Sequence, residues 1–489
     1  MLVGQINDCL KQNPAYGSSF LFFSSPVGMR LKLFFSSLTF KVLWIVVLVN
    51  VLSIFGDTTI VPAALPRIVE LSFNGNRTTQ ASTLRMYLAN LGIGIGVTYD
   101  SVRIAEAKRK LLLTNLFYKV DFVPLVKEDG VHLYLMLQEL GLFYYTPSGN
   151  LEYFVSTDEK DSWYKLSLGL TKLNFCGRME TFSVGLSGWR DRSLVLSWSK
   201  PLLPSTYYLG LGAVVRFFPE FNYPRERLVY AAGVSAGKDI TLHSKAFLRL
   251  CPTYSKIDTL DAPRSHIKDI KEADASIGWT TDYRNNNFDP IKGWYFWNEL
   301  MSNGLYSDDG FKFGQYSAEF RFYFPGFFHG NRIASRLQGC FRTNDAGPYR
   351  RLYTGGEGSV RGFPNYYLGM NGEMNNSLVL STEYRFPILT VPEISLLSLF
   401  SNLFPEIKGL YYQIDGALIA DAGHVWDHFT LPLHVRQNGA GIGVGIKILA
   451  PTMRRSICFD VVSPITKDLV SGKTTIYLPE YRLYLDAYY

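Results

Sequence analysis

From about Gly141 to Tyr489 the chain repeats one pattern. Stretches of about ten residues alternate apolar and polar positions, and clusters of Gly, Pro, Asn or Asp separate them. Early examples are "YKLSLGLTKL" (164–173), "ETFSVGLSGW" (180–189), "TYYLGLGAVVRFF" (206–218) and "KAFLRL" (245–250). "GQYSAEFRFYF" (314–324) and "RIASRLQGCF" (332–341) continue it, and "GLYYQIDGALIA" (409–420), "GAGIGVGIKI" (439–448) and "SICFDVVS" (456–463) come late. Successive side chains of a strand point to opposite faces, so each stretch predicts a strand with one apolar and one polar side. About 350 residues at roughly 22 per strand and connection give about sixteen strands, an even number as bacterial membrane barrels have. The chain ends on the same pattern. Tyr481, Leu483, Leu485, Ala487 and Tyr489 share one face of a last strand, and Arg482, Tyr484, Asp486 and Tyr488 share the other.

Residues 67–139 follow a different rhythm. "RIVELSF" predicts a strand with Val69, Leu71 and Phe73 on one face, and "NGN" (74–76) ends it with turn chemistry. Thr78 or Thr79 is placed to cap a helix running to Leu91, with Leu84, Tyr87, Leu88 and Leu91 at helical spacing. Asp100 or Ser101 is placed to cap a second helix that carries Val102, Ala105, Leu112 and Leu113. Two strands follow, "LFYKVDFVPLV" and "VHLYLMLQE", joined at Asp129-Gly130, with Val131, Leu133, Leu135 and Leu137 alternating in the second. The order is a small βααββ unit.

Composition agrees with a membrane barrel. Aromatic residues make up 15%, with 31 Tyr and 34 Phe, while mean hydropathy is only +0.03. A helical membrane protein would be far more apolar, whereas in a β-barrel the lipid-facing and lumen-facing positions cancel in the mean. The net charge of +7 is scattered and forms no stripe, which speaks against nucleic acid as a partner. The five cysteines (Cys9, Cys176, Cys251, Cys340 and Cys458) form no metal-binding spacing. Near the N-terminus, Met29, Arg30, Lys32 and Lys41 lead into an uncharged run over 42–56. A spanning helix needs about twenty apolar residues, so this run reads as the core of an export signal, with cleavage between about Ser53 and Ala64. Met29 then becomes a candidate start, with residues 1–28 as an extension.

The stretch "YTGGEGSVRGF" (353–363) has the glycines of a phosphate loop, but no helix pattern follows it to complete such a site. "GGEGSVRGF" instead resembles the signature of the BamA/TamA-type outer-membrane assembly superfamily, also called the bacterial surface antigen family. Further segments carry the resemblance: "TDYRNNNFDPIKGW" (281–294), "STEYRFPI" (381–388), "IADAGHVW" (419–426) with Ile419 where the family has an aromatic residue, and "GAGIGVGIKI" followed by Asp460 and Pro464. "VELSFNGN" (69–76), "GVTYD" (96–100), "LLLTNLFYKVDF" (111–122) and "VHLYLMLQE" (131–139) resemble a POTRA domain, the periplasmic module of that family. The resemblance runs in order over residues 67–489.

It implies an all-β transmembrane barrel of about 16 antiparallel strands over 141–489, a POTRA-like α+β domain over 66–140 and an extension with signal peptide over 1–60. The family's VRGF segment, here Val360, Arg361, Gly362 and Phe363, is the tip of a long loop folded into the lumen. By the resemblance Glu383 and Asp421 are the wall residues that hold Arg361. A buried guanidinium needs such partners, and bidentate carboxylates suit its fork. The terminal face of Tyr481, Leu483, Leu485, Ala487 and Tyr489 resembles the signal by which bacterial barrels are recognised, beside the plainer reading of a last apolar strand. The family mechanism also implies a weak seam, here expected between about Trp163–Leu173 and Thr475–Tyr489. The resemblance implies a non-enzymatic protein without cofactor or metal, located in the bacterial outer membrane with its POTRA-like domain in the periplasm. It would fold and insert β-barrel proteins; the alternative is a two-partner-type secretion pore for one dedicated protein. Implied partners are unfolded outer-membrane β-barrel clients, outer-membrane lipids, and periplasmic chaperones or accessory lipoproteins.

Two further motifs are decoys by context. "GVSAG" (233–237) matches a hydrolase elbow but lies inside a strand pattern. His424 and His428 are four apart with no helix to bring them together. The alternating glycines of "GAGIGVG" thin one face of a strand, which suggests close packing or a weak place in the wall.

Overall fold

The computed structural model describes residues 66–140, 145–155, 162–189, 191–203, 205–219, 225–259, 269–286, 289–307, 312–343, 352–356, 358–363, 368, 375–391, 412–426, 437–450, 455–467, 474–476 and 478–485. The expected extension and signal, His428 and the last four residues lie outside them.

The N-terminal unit runs β1 (Ile68–Asn74), α1 (Ala81–Asn90), α2 (Ser101–Leu113), β2 (Phe117–Lys127) and β3 (Gly130–Glu139). Its sheet order is β1-β3-β2, with β1 parallel to β3 and β2 antiparallel to it. Leu133, Leu135 and Leu137 of β3 are buried against Leu84 and Leu88 of α1 and Ile104, Ala107 and Leu111 of α2, and Val131 is buried as well. Three local expectations fail. A register shift between Ile68 and Glu70 puts Ile68, not Val69, in the core with Leu71. The first helix begins at Ala81, and its N-cap, Gln80, makes no side-chain cap. The free N–H groups of Thr78 and Thr79 instead meet the two carboxylate oxygens of Glu139, each at 2.7 Å. In the second helix Asp100 does cap, accepting from the Val102 N–H at 2.8 Å, but Val102 itself is exposed. The buried residues are Ile104, Ala107, Lys110 and Leu111.

The barrel is a meander of antiparallel neighbours. Its first half is β4 (Tyr145–Val155), β5 (Ser162–Phe175), β6 (Glu180–Trp189), β7 (Arg192–Pro201), β8 (Tyr207–Pro219), β9 (Arg225–Asp239), β10 (Ser244–Thr259) and β11 (Asp269–Asp282). The second half is β12 (Gly293–Ser307), β13 (Phe313–Pro325), β14 (Arg332–Arg342), β15 (Asn376–Val391), β16 (Tyr412–Trp426), β17 (Gln437–Ala450) and β18 (Arg455–Lys467). Two short segments, β19 (Thr474–Ile476) and β20 (Glu480–Leu485), both pair with β18 and together form the sixteenth strand. "GVSAG" lies within β9, whose ladder continues on both sides of it.

Alternation sorts the side chains. On β18, Ser456, Cys458, Asp460 and Val462 are buried while Ile457 and Phe459 are exposed. Leu166, Leu168 and Leu170 on β5, and Ile442, Val444 and Ile446 on β17, are likewise exposed. A continuous apolar band of this size would not be stable in water and matches a lipid-facing wall. Rings strengthen it: Trp279, Phe296 and Phe320 follow one another across β11, β12 and β13 at centroid distances of 6.4 and 5.9 Å.

The ring closes between β20 and β4, which among the described residues are joined by one backbone pair, Tyr484 with Asn150. Elsewhere the ladders run along the strands; β4–β5, for example, extends from Tyr145 opposite Lys172 to Val155 opposite Ser162. The seam therefore lies one strand earlier than expected, at β4 and not at the strand holding Trp163–Leu173. Pro147, Gly149 and Asn150 obscure the alternation of β4 in the sequence.

The N-terminal unit docks on three alternate turns of the barrel, those after β5, β7 and β9. The β5–β6 turn holds Asn174, Cys176 and Met179 in left-handed conformations, with Gly177 among them. Its Gly177 carbonyl accepts the Gln80 N–H at 3.0 Å, and Asn174 Nδ2 donates to Thr79 Oγ1 at 2.8 Å. Asn90 Nδ2 donates to the Ser205 carbonyl at 2.8 Å in the β7–β8 turn. Arg109 Nη2 lies 2.9 Å from His243 Nδ1 in the β9–β10 turn.

On the open face of the small sheet, His132 joins two carboxylates. Its Nδ1 is 2.5 Å from Glu70 and its Nε2 is 3.1 Å from Asp129. Hydrogen bonds to Glu70 and then Asp129 raise the His132 pKa above its ordinary 6.5. Glu70 is lowered by Ser72 and then His132, and Asp129 is lowered chiefly by His132. The histidine contributes stability that is complete below pH 6.5 and is lost as pH rises through its raised value. The carboxylates contribute above their ordinary values of 4.5 and 3.8 and lose it as pH falls through the lowered ones. The cluster should hold best between about pH 4.5 and 6.5. In the full-length protein the His132 ring resonances should titrate with a midpoint above 6.5. A midpoint at or below that value would contradict the cluster.

Candidate functional site: a loop tip seated in the barrel wall

Between β14 and β15 the chain passes through the glycine-rich stretch and enters the lumen. Gly355, Gly356 and Gly362 have φ of 115°, 96° and 92°, which L side chains avoid. With them the segment folds on itself: the Gly356 N–H donates to the Phe363 carbonyl at 3.1 Å, and Thr354 and Leu368 exchange bonds of 2.9 Å. The resulting tip presents Val360, Arg361 and Phe363, all buried.

Arg361 is 2% exposed, so every charge it meets is shielded from bulk water. Its backbone N–H and Nε donate to Asp421 Oδ2 at 2.9 and 2.8 Å, and Nη2 donates to Asp421 Oδ1 at 2.8 Å. This is the side-on bidentate fork that fixes a guanidinium in plane. Nη1 donates to Glu383 Oε1 and, at 3.2 Å, to Asp460 Oδ2. Glu383 is itself shared: Lys447 Nζ lies 3.1 Å from Oε1, and Arg385 Nε donates to Oε2 at 2.7 Å. Three cations (Arg361, Arg385 and Lys447) thus face three anions (Glu383, Asp421 and Asp460). The balance matters because an unpaired charge in such a place is far costlier than the pair is stabilising.

The apolar residues of the tip fill hollows left by glycines. A Cβ on Gly423 would come 2.3 Å from Val360, and one on Gly439 would come 2.8 Å from Phe363. A Cβ on Gly441 would come 2.1 Å from the Arg361 carbonyl oxygen. Val360 and Phe363 cluster with Leu368, Val379 and Val425. On β14 the Arg336 guanidinium donates to the Gly358 carbonyl at 3.1 Å, and on β15 Ser381 Oγ donates to that of Ser359 at 3.2 Å.

The structure therefore brings together all six residues singled out around the loop: Val360, Arg361, Gly362, Phe363, Glu383 and Asp421. Sequence reasoning missed Asp460, Arg385 and Lys447 as members. Each stands on the inward parity of its strand, and a buried lysine amid the small residues of β17 was the available signal. Ile419 packs with Ala417 and Val462, so the substitution of the aromatic residue keeps an apolar contact. In the β11–β12 turn Arg284 grips Asp282 with two side-chain bonds of 3.0 and 2.9 Å, and Gly293 has φ of 108°. Tyr481 and Leu483 are exposed on the outward face of β20; the side chains of Leu485, Ala487 and Tyr489 lie outside the described residues. His424 bonds to Asn438 at 2.8 Å. Among the described residues no group of His, Cys, Asp and Glu could hold a metal ion.

The Omp85 superfamily domain matches residues 174–468. No curated protein sequence matches the chain. Among solved structures, the chain is similar to BamA from Haemophilus ducreyi lacking POTRA domains 1–3, at 18% identity and a TM-score of 0.53, over 86% of this chain and 84% of that one. CdiB from Acinetobacter baumannii aligns at 15% identity and a TM-score of 0.56, over 86% and 74% of the two chains. CdiB from Escherichia coli aligns at 13% and 0.57, over 86% and 76%. These likenesses are in fold.

Two substitutions probe the tip from opposite sides. Arg361→Ala leaves Asp421 without its fork and Glu383 without one of its three cations, and should cost about 3–5 kcal/mol. The barrel's unfolding midpoint, read as the heat-induced mobility shift on a semi-native gel, should fall accordingly. Gly441→Val changes no charge but intrudes on the Arg361 carbonyl, and should cost about 1–3 kcal/mol while unseating the tip. A disulfide between Arg361→Cys and Asp421→Cys, formed only while the loop is inside, gives the direct reading of position.

Proposed function

The chain belongs to the Omp85 superfamily, and on that premise we propose that it folds β-barrel proteins and inserts them into the outer membrane. The observation that carries this reading is the closure of the wall. Among the described residues the edges of β20 and β4 meet through a single backbone pair, while the other neighbours are joined along their length. In hydrocarbon an unpaired strand edge has no solvent to bond with, so a weakly closed seam offers backbone groups to an incoming strand. The client gains hydrogen bonds that lipid cannot supply, and its own folding provides the free energy.

The N-terminal unit is read as a POTRA-like domain standing in the periplasm beneath this wall. Its sheet has two edges, β1 and β2, at which an extended client segment could add as a strand. The loop tip is read as the internal lock that keeps the wall in register while the seam works.

Depletion of the protein decides between insertion and dedicated export. Simultaneous loss of many outer-membrane barrels is the expected result. Loss of a single secreted protein, with the barrels intact, would make the chain a secretion pore. Complementation with Arg361→Ala should restore the barrels poorly even where the variant itself reaches the membrane; full restoration would remove the lock from the mechanism.

A further inference from the structure

The loop tip reaches one strand beyond its charge partners. On β20, Tyr481 and Leu483 face outward, which turns Arg482 between them toward the lumen. There Arg482 Nη2 donates to the Phe363 carbonyl oxygen. It also donates to Glu480 at 2.8 Å. The same Phe363 carbonyl accepts the Gly356 N–H that closes the loop, so Arg482 holds an atom at the centre of the tip.

A second route joins the same parts. Arg482 is the ladder partner of Asp460 across β18 and β20, and Asp460 accepts from Arg361. Gly362 lies against Val462 and Pro464 of β18, where an added Cβ would come within 3.2 Å of the backbone. Among the described residues the tip thus touches every strand from β14 to β18 and then β20. Across the seam β20 has, among the described residues, one neutral pair with β4. A bond from a guanidinium is roughly twice as strong as a neutral one, so the inward tether of β20 is stronger than the described backbone pair that holds it sideways.

We propose that Arg482 couples the seat of the loop to the lateral seam: while its guanidinium holds the Phe363 carbonyl, β20 stays in line with β4, and withdrawal of the tip frees β20 to leave. The proposal rests on reading the β20–β4 edge as the place where the wall opens. Arg482 acts as a positioning residue, since it touches the loop and not a client.

The test uses the full-length protein in its membrane, with the native cysteines replaced by serine. A disulfide between Asn150→Cys and Tyr484→Cys reports the seam, and one between Ser359→Cys and Ser381→Cys reports the seated loop. Arg482→Gln should lower the seam crosslink several-fold and leave the loop crosslink in place, which also shows that the variant is folded. Gly441→Val should lower both. Glu480→Gln, which removes only the neighbour of Arg482, should leave both near the parent level. An unchanged seam crosslink in Arg482→Gln overturns the proposal, and so does an equal fall in Glu480→Gln. The crosslinks read the wall itself and not its clients. A chain that proves to export one protein could therefore still couple loop to seam, and a failed coupling would leave insertion standing.

Discussion

A backbone N–H or carbonyl in hydrocarbon has no water to turn to, and the architecture follows from that shortage. It forces the strands into a closed ring, so that the first and last must find each other after a chain of more than three hundred residues. It also fixes the alternation, because the outward side chains must suit lipid while the inward ones line a polar interior. Among the described residues the β20–β4 junction satisfies this rule least, with one pair where its neighbours have ladders. The wall near that junction is braced from within, by a loop whose contacts extend across the last strands to Arg482.

The brace has its own electrostatic condition. Taking ions out of water costs several kcal/mol each, and only close, well-oriented partners offset it. Arg361 meets that condition through the fork with Asp421 and the shared carboxylate of Glu383, and Lys447 and Arg385 keep Glu383 from being in excess. The N-terminal unit is fastened differently, by neutral bonds of Thr79, Gln80 and Asn90 to the turns after β5 and β7, by the contact of Arg109 with His243 and by Lys110 lying 4.0 Å from Asp239. The barrel is thus supported from beneath along β5–β10 and from inside along β14–β20.

Much of the strand order was legible because a period of two survives averaging, and strands such as β13 and β18 keep it strictly. The strand that was missed, β4, carries Pro147 and Gly149, which break the pattern without breaking the ladder to β5. The N-terminal errors have one character: partners far away in sequence override local signals. Thr78 and Thr79 look like caps, but Glu139 satisfies their N–H groups across sixty residues of chain. Val102 looks like a core residue, but the second helix is rotated by the demands of Ile104, Ala107 and Leu111. At the loop, Arg361 and its two carboxylates were readable through a family resemblance. Asp460, Lys447 and Arg385 were not, since a lone charge on a strand does not reveal which other charge it will face until the register of four strands is known.

The glycines of β17 give the seat an uneven tolerance of change. Gly439, Gly441, Gly443 and Gly445 leave the inward face of that strand as bare backbone, and an added Cβ at any of them would strike a neighbour. Around Arg361 the carboxylates are damaged by taking atoms away, whereas β17 is damaged by the smallest addition. Alanine, the usual mild probe, is therefore mild at neither surface. In a random library the two halves of the seat should fail under opposite changes of volume.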